Sequence, residues 1–201
     1  MDRFLKSISY IFHPLLMPIL GVIFYFSKSP RFIPIDIITA KLVSLFILTI
    51  VLPILLFFLL KTLGRVKSIN LESTNERILP LVLNCLVIIL VLQRIITPTQ
   101  IIELYYFFIG ILISTMTCLI LALAKFKASI HMIAIAGVFM FFIALSIHFS
   151  ININGTLSLM IIIIGAIATS RLHMKAHTYK ELIMGFFVGL IPQLILVPYW
   201  L

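Results

Sequence analysis

Residues 102–124 read IELYYFFIGILISTMTCLILALA, with a single charge, Glu103, at the near end. An apolar run of about 20 residues is the length that carries an α-helix across a bilayer. A membrane β-barrel needs polar and apolar residues in alternation, and this run is apolar on all sides. A helix also satisfies every backbone N–H and C=O within itself, which lipid requires. The same pattern recurs at roughly 7–27, 42–62, 78–97, 131–149, 156–171 and 182–200. The expected fold is therefore all-α, a polytopic transmembrane helix bundle of about seven spans, with six as the alternative count. The sixth run is short and ends on Arg171.

Composition agrees. Of 201 residues 63% are hydrophobic and only 10% charged, against about 25% charged in a soluble domain. The mean hydropathy is +1.28, so the solvent is lipid. The formal charge of +9 reads as loop lysines and arginines that set topology and touch anionic lipid, not as a nucleic-acid surface. Cys85 and Cys118 each lie inside an apolar run and imply neither a disulfide framework nor a metal site. The start MDRFLKS resembles a signal peptide, but no small-residue cleavage site follows, so it reads as a retained first span. With no linker, low-complexity tract or clear repeat, residues 1–201 form one integral membrane domain. Tyr199 and Trp200 close the last span as interfacial aromatics. Gly185 and Gly189 are spaced either for close helix contact or as tolerated glycines facing lipid.

Seven spans define two faces. One carries Arg3, Lys6, Lys61, Arg65, Lys67, Arg77, Lys125, Lys127, Arg171, Lys175 and Lys180. The other carries Lys28, Arg31, Lys41 and Arg94. His13, His131, His173 and His177 join the richer face, and His148 sits at the opposite end.

That richer face holds the components of phosphoryl chemistry. Cleaving a phosphate ester needs fixed positive charge, a nucleophile, and an acid for the leaving oxygen. In SRLHMKAHTYKE (170–181), His177 and Glu181 are four apart and share one helix face. The carboxylate can accept the imidazole Nδ1–H and leave Nε2 free to attack. Arg171 meets phosphate oxygens with a planar fork, and Ser170 can add a hydroxyl. Ser129-Ile130-His131 opens the fifth span, where a helix N-terminus attracts anions. His131 there can protonate the leaving group. Arg77 follows LESTNE at the start of the third span, with Lys67 in the same loop.

These blocks, in this order, resemble the type 2 phosphatidic acid phosphatase superfamily, which joins membrane lipid phosphatases and vanadium haloperoxidases. Its pattern is Lys, six residues, Arg-Pro; then Pro-Ser-Gly-His; then Ser-Arg, five residues, His, three residues, Asp. The third block matches in spacing, with Glu181 for aspartate. The second survives as Ser129 and His131, with Ala128 for proline and Ile130 for glycine. The first keeps Arg77, with Asn70 at the lysine position and Pro80 displaced. The resemblance covers roughly residues 67–190. It implies a phosphatase with no metal and no cofactor, and a phosphatidic acid phosphatase type 2-like core. His177 becomes the nucleophile and His131 the acid. Arg77, Ser129, Ser170, Arg171 and Lys67 bind phosphate, and Glu181 orients His177.

The expected partners are the bilayer and a membrane lipid phosphate or pyrophosphate, with no nucleic acid; oligomeric state stays open. The expected location is a bacterial cytoplasmic membrane, in multiple passes. Two other readings remain: a carrier that binds phosphate head groups, with Asn84, Gln93 and Gln193 lining a path, and a scaffold derived from a phosphatase. Charge places the basic face, 11 Lys/Arg against 4, in the cytoplasm. The resemblance places it outside.

Overall fold

Uninterrupted apolarity leaves the backbone no partners but its own, and each run folds as helix in the computed structural model, which describes residues 2–66 and 73–201. The order is α1 (Asp2–Ile11), α2 (Met17–Lys28), α3 (Ile35–Phe46), α4 (Leu52–Thr62) and α5 (Thr74–Arg94). Then come α6 (Ile102–Leu123), α7 (Ile130–His148), α8 (Asn154–His173) and α9 (Tyr179–Leu196). Among the described residues, seven helical segments are long and apolar enough to cross a membrane.

Two of the seven are broken by proline. Ahead of Pro14, His13 adopts an extended conformation (φ −67°, ψ 138°), because the ring disfavours helix at the preceding residue. α1 therefore ends, a short 3-10 turn spans Pro14–Leu16, and α2 sets off anew. Pro53 has no N–H for the carbonyl four residues back, and the ladder ahead of it widens to a π-turn over Ile47–Val51. α3 and α4 thus form one segment with a π-turn inside it, Ile35–Thr62, longer than the run at 42–62. The sixth span is not short: α8 runs to His173, so Arg171 lies within its last turn. Pro192 lies inside α9, which continues past it.

α7 is the centre of the bundle. It packs most extensively on α9 and also touches α2, α6 and α8. Phe107 of α6 stacks on Phe141 at 4.2 Å between centroids, and Phe24 of α2 on Phe142 at 3.7 Å. The α7–α9 crossing is close because both small residues of α9 face α7. A Cβ on Gly185 would stand 2.7 Å from the Ser129 carbonyl oxygen, and one on Gly189 would overlap the Ile133 backbone. Of the two readings of these glycines, close contact is the one observed. Gln193 of α9 gives its Nε2–H to the Phe107 carbonyl at 2.9 Å, within the α6–α9 contact.

The turn with Gly64 (φ 69°) past α4 and three turns with non-glycine residues share one design. Lys125, Ser150 and Lys175 take positive φ (61°, 50° and 52°) just beyond α6, α7 and α8. Each time, the N–H groups at and after that residue bond back to the helix end, as in Phe126 N–H to Leu121 and Ala176 N–H to Arg171. The turns at Lys125 and Lys175 bring α7 and α9 back from the same end of the bundle.

Candidate functional site

Polar side chains collect where α5, α7 and α9 begin and α8 ends. Three bonds tie the loops there together. Arg77 donates from Nη1 to the Ala128 carbonyl at 2.8 Å. Lys127 Nζ reaches the Ala176 carbonyl at 3.2 Å. The Ser129 N–H donates to the Glu181 carbonyl at 3.1 Å. Blocks some 50 residues apart in the chain thereby become neighbours.

The histidine–carboxylate pair has a local cause. Thr178 is the N-cap of α9 and forms a capping box with Glu181, an arrangement that satisfies two orphan N–H groups at once. The same carboxylate oxygen, Oε2, accepts the Thr178 N–H at 2.9 Å and the His177 Nδ1–H at 3.0 Å. One carboxylate thus starts the helix and fixes the imidazole tautomer. The proton sits on Nδ1, and Nε2 keeps its lone pair.

His177 is only 7% exposed. Burial, then the Arg77 charge, push its pKa down to about 4, against the opposing pull of Glu181. It is therefore neutral at pH 7, the form a nucleophile requires.

Two arginines flank it. Arg77 is 3% exposed and Arg171 7%, and each acts electrostatically on His177 and on the other. Arg171 also acts on His13 and His131. The Glu181 carboxylate acts on Arg77, whereas a desolvated cation is costly without an anion near it. Two buried donors here have no hydrogen-bond partner: Ser129 Oγ and Arg171 Nε. Ser129 stands at the N-terminal end of α7 yet makes no side-chain cap to it. Such orphans are rare enough to need a reason, and a tetrahedral oxyanion fits both of them, the positive end of α7 and the guanidinium pair.

His131 follows on the first turn of α7. Its Nε2 lies 3.2 Å from the Ser9 carbonyl of α1, and the His13 ring meets it edge to face at 5.7 Å. Ser170 is fully buried and gives its proton to the Leu5 carbonyl at 2.6 Å, with Ser9 Oγ at 2.7 Å. In this arrangement the Ser170 proton anchors α1 and is not offered to a phosphate. Lys67 and Asn70 lie outside the described residues.

The structure thus brings Arg77, Ser129, His131, Arg171, His177 and Glu181 to one place, with Ser170 behind them. Sequence reasoning placed His13 on this face but gave it no role, and it missed Ser9 and Thr178. The T-Y-K-E capping signature was readable for Thr178; nothing in the sequence tied Ser9 to residues 122 or 161 positions away. Among the described residues no three His, Cys, Asp or Glu side chains converge as metal ligands do.

An apolar groove of about 290 Å³ is lined by residues of α7, α8 and the start of α9. Its wall residues Met132, Leu172 and Leu182 are the chain neighbours of His131, Arg171 and Glu181. No family model matches the chain, and no match was found among curated proteins or solved structures.

Proposed function

We propose that the protein is a membrane-embedded phosphatase acting on the phosphate or diphosphate ester of a membrane lipid, without a metal. The observation that carries this reading is the buried His177 imidazole, held at Nδ1 by Glu181, beside two buried arginines and two orphaned donors. A binding site for an anion needs the cations and donors. It does not need a buried imidazole whose lone pair is oriented by a carboxylate.

The chemistry follows from that arrangement. His177 Nε2 attacks phosphorus, the bond to the lipid oxygen breaks, and His131 gives that oxygen a proton. A phosphohistidine remains. Water then attacks phosphorus, His131 takes its proton, the P–N bond breaks, and phosphate leaves with His177 neutral again. Arg77, Arg171 and Ser129 hold the non-bridging oxygens as charge shifts onto them. Lipid is favoured as the leaving group because the apolar groove begins at the residues next to the cluster, so a hydrocarbon chain can stay in the bilayer while its head group is in the site.

The test is phosphate release from diacyl, alkyl and prenyl phosphates and diphosphates by the detergent-purified protein with chelator present. Release that vanadate blocks supports the reading. No release from any of them by folded protein sinks it and leaves head-group binding, measured with the same lipids, as the account of the cations.

A further inference from the structure

The N-terminal segment is the least expected neighbour of the cluster. α1 has its own direction, because the helix stops ahead of Pro14. Its backbone ladder ends with the Phe12 N–H on the Ile8 carbonyl. The next carbonyl, that of Ser9, is one of the groups a helix end leaves without an internal partner, and it faces His131 Nε2 at 3.2 Å. Leu5 and Ser9 are one turn apart and share a face. Ser170 Oγ donates to the Leu5 carbonyl, so the bond between Ser9 Oγ and Ser170 Oγ takes its proton from Ser9. α1 is therefore pinned to α8 by serines while its last turn meets α7. His13, in the break after it, is itself held by the Leu15 N–H on its Nδ1 at 3.3 Å and packs its ring against His131.

We propose that this segment is a fourth block of the site: the Ser9 carbonyl, backed by the His13 ring, positions His131 as the group that gives and takes the leaving-group proton. The inference rests on the phosphatase reading above. A carbonyl only accepts, so the Nε2 of His131 must carry a proton whenever the bond is made. That assigns the working nitrogen to Nδ1. With both nitrogens protonated, Nδ1–H serves the departing oxygen; after transfer, the Nδ1 lone pair receives a proton from water. The nature of the two orienting groups fits the two tasks. His177 needs added basicity and has a carboxylate. His131 must return to its starting charge in each cycle, and a neutral carbonyl fixes its tautomer without holding the cationic form as a carboxylate would. Ser9 and His13 are positioning residues, and Ser170 anchors the helix that carries Ser9.

Leaving-group dependence separates positioning from mere support. An alkoxide needs a proton to depart and a nitrophenolate does not. Ser9→Leu drives a larger side chain into a position that is 7% exposed and levers α1 off His131. His13→Ala removes the half-buried ring alone and keeps the test open if the first variant folds poorly. Each should lower kcat/KM, which reports the steps through departure of the leaving group, on a long-chain alkyl phosphate by up to about 100-fold, the lower range of general acid catalysis, and change kcat/KM on p-nitrophenyl phosphate little. Equal losses on both substrates would make α1 a structural prop, gains on both would make it a cover over the site, and no change on either would leave it idle; each overturns the inference. Wild-type release that His177→Ala abolishes tests the phosphatase reading on its own, and failure there withdraws both.

Discussion

Gly185→Ala joins packing to chemistry in a single methyl group. The added Cβ would lie 2.7 Å from the Ser129 carbonyl oxygen, 3.1 Å from the Ser129 nitrogen and 3.2 Å from Met132 Cβ, where ordinary contact begins at 3.4 Å. Two of the three obstacles are backbone and cannot rotate away. α9 must therefore retreat from α7 by about 0.7 Å, the shortfall at the carbonyl oxygen. Movement of that size along the same line takes the 3.1 Å bond from the Ser129 N–H to the Glu181 carbonyl beyond hydrogen-bonding distance. Overpacking of this kind costs about 1–3 kcal/mol, and a helix gains about 1 kcal/mol when alanine replaces glycine. With a bond worth about 1 kcal/mol also lost, the net destabilisation is about 1–3 kcal/mol. The larger effect falls on rate, because Glu181 and His177 move with α9 while Ser129 and His131 stay with α7. A misplacement near 1 Å costs about 100-fold, so release per folded molecule should fall about 10- to 100-fold. Gly165→Ala is the control: it lies on α8 with nothing within 4 Å of the new Cβ and should stabilise slightly and leave rate unchanged. Phosphate release and thermal melting in detergent measure both effects. If Gly185→Ala behaves like Gly165→Ala, the coupling of the α7–α9 contact to the site is refuted.

Other outcomes follow from the same geometry. Glu181→Gln retains size but loses the charge and puts an amide donor in competition with the imidazole N–H, so kcat should fall about 100-fold or more with KM little changed; a KM effect alone would assign Glu181 to binding. His177, held near pKa 4 in the fold against about 6.5 unfolded, binds fewer protons folded than unfolded between those values. Stability from this group is therefore full well above pH 6.5 and is lost progressively as pH falls through 6.5 toward 4. His177→Gln should melt with a correspondingly flatter pH dependence over that window, and parallel curves would contradict the assignment. At the opposite end of the bundle, Glu103 is fully buried, paired with Arg31 at 2.6 Å and His148 at 3.1 Å, and joined by Tyr25. Glu103→Gln should destabilise by about 1–3 kcal/mol, less than a fully buried pair because Arg31 reaches solvent, with release per folded molecule unchanged.

Much of this architecture was legible because lipid imposes a plain code. Runs of apolar residues long enough to span became helices, and the boundaries that differed did so at proline or at a polar helix end. α8 extends past Arg171 to His173, and hydropathy alone does not register a buried arginine inside a helix. The His177–Glu181 pair was legible because its spacing is local. Ser170 illustrates the limit: its place in a recognisable block pointed to phosphate, whereas the bonds it makes depend on where the first dozen residues dock. The buried Glu103 was invisible for the same reason, since its partners lie on α2, α7 and the connection between α2 and α3.

The most direct test of the central claim is the rate of phosphate release from a lipid phosphate by His177→Ala beside the wild type, with both melting alike in detergent. The account predicts measurable wild-type release and a loss of at least about 1,000-fold in the variant, the scale on which a covalent nucleophile acts. Release by His177→Ala within a few-fold of the wild type would show that this imidazole does not attack phosphorus, and the proposed chemistry would fall with it.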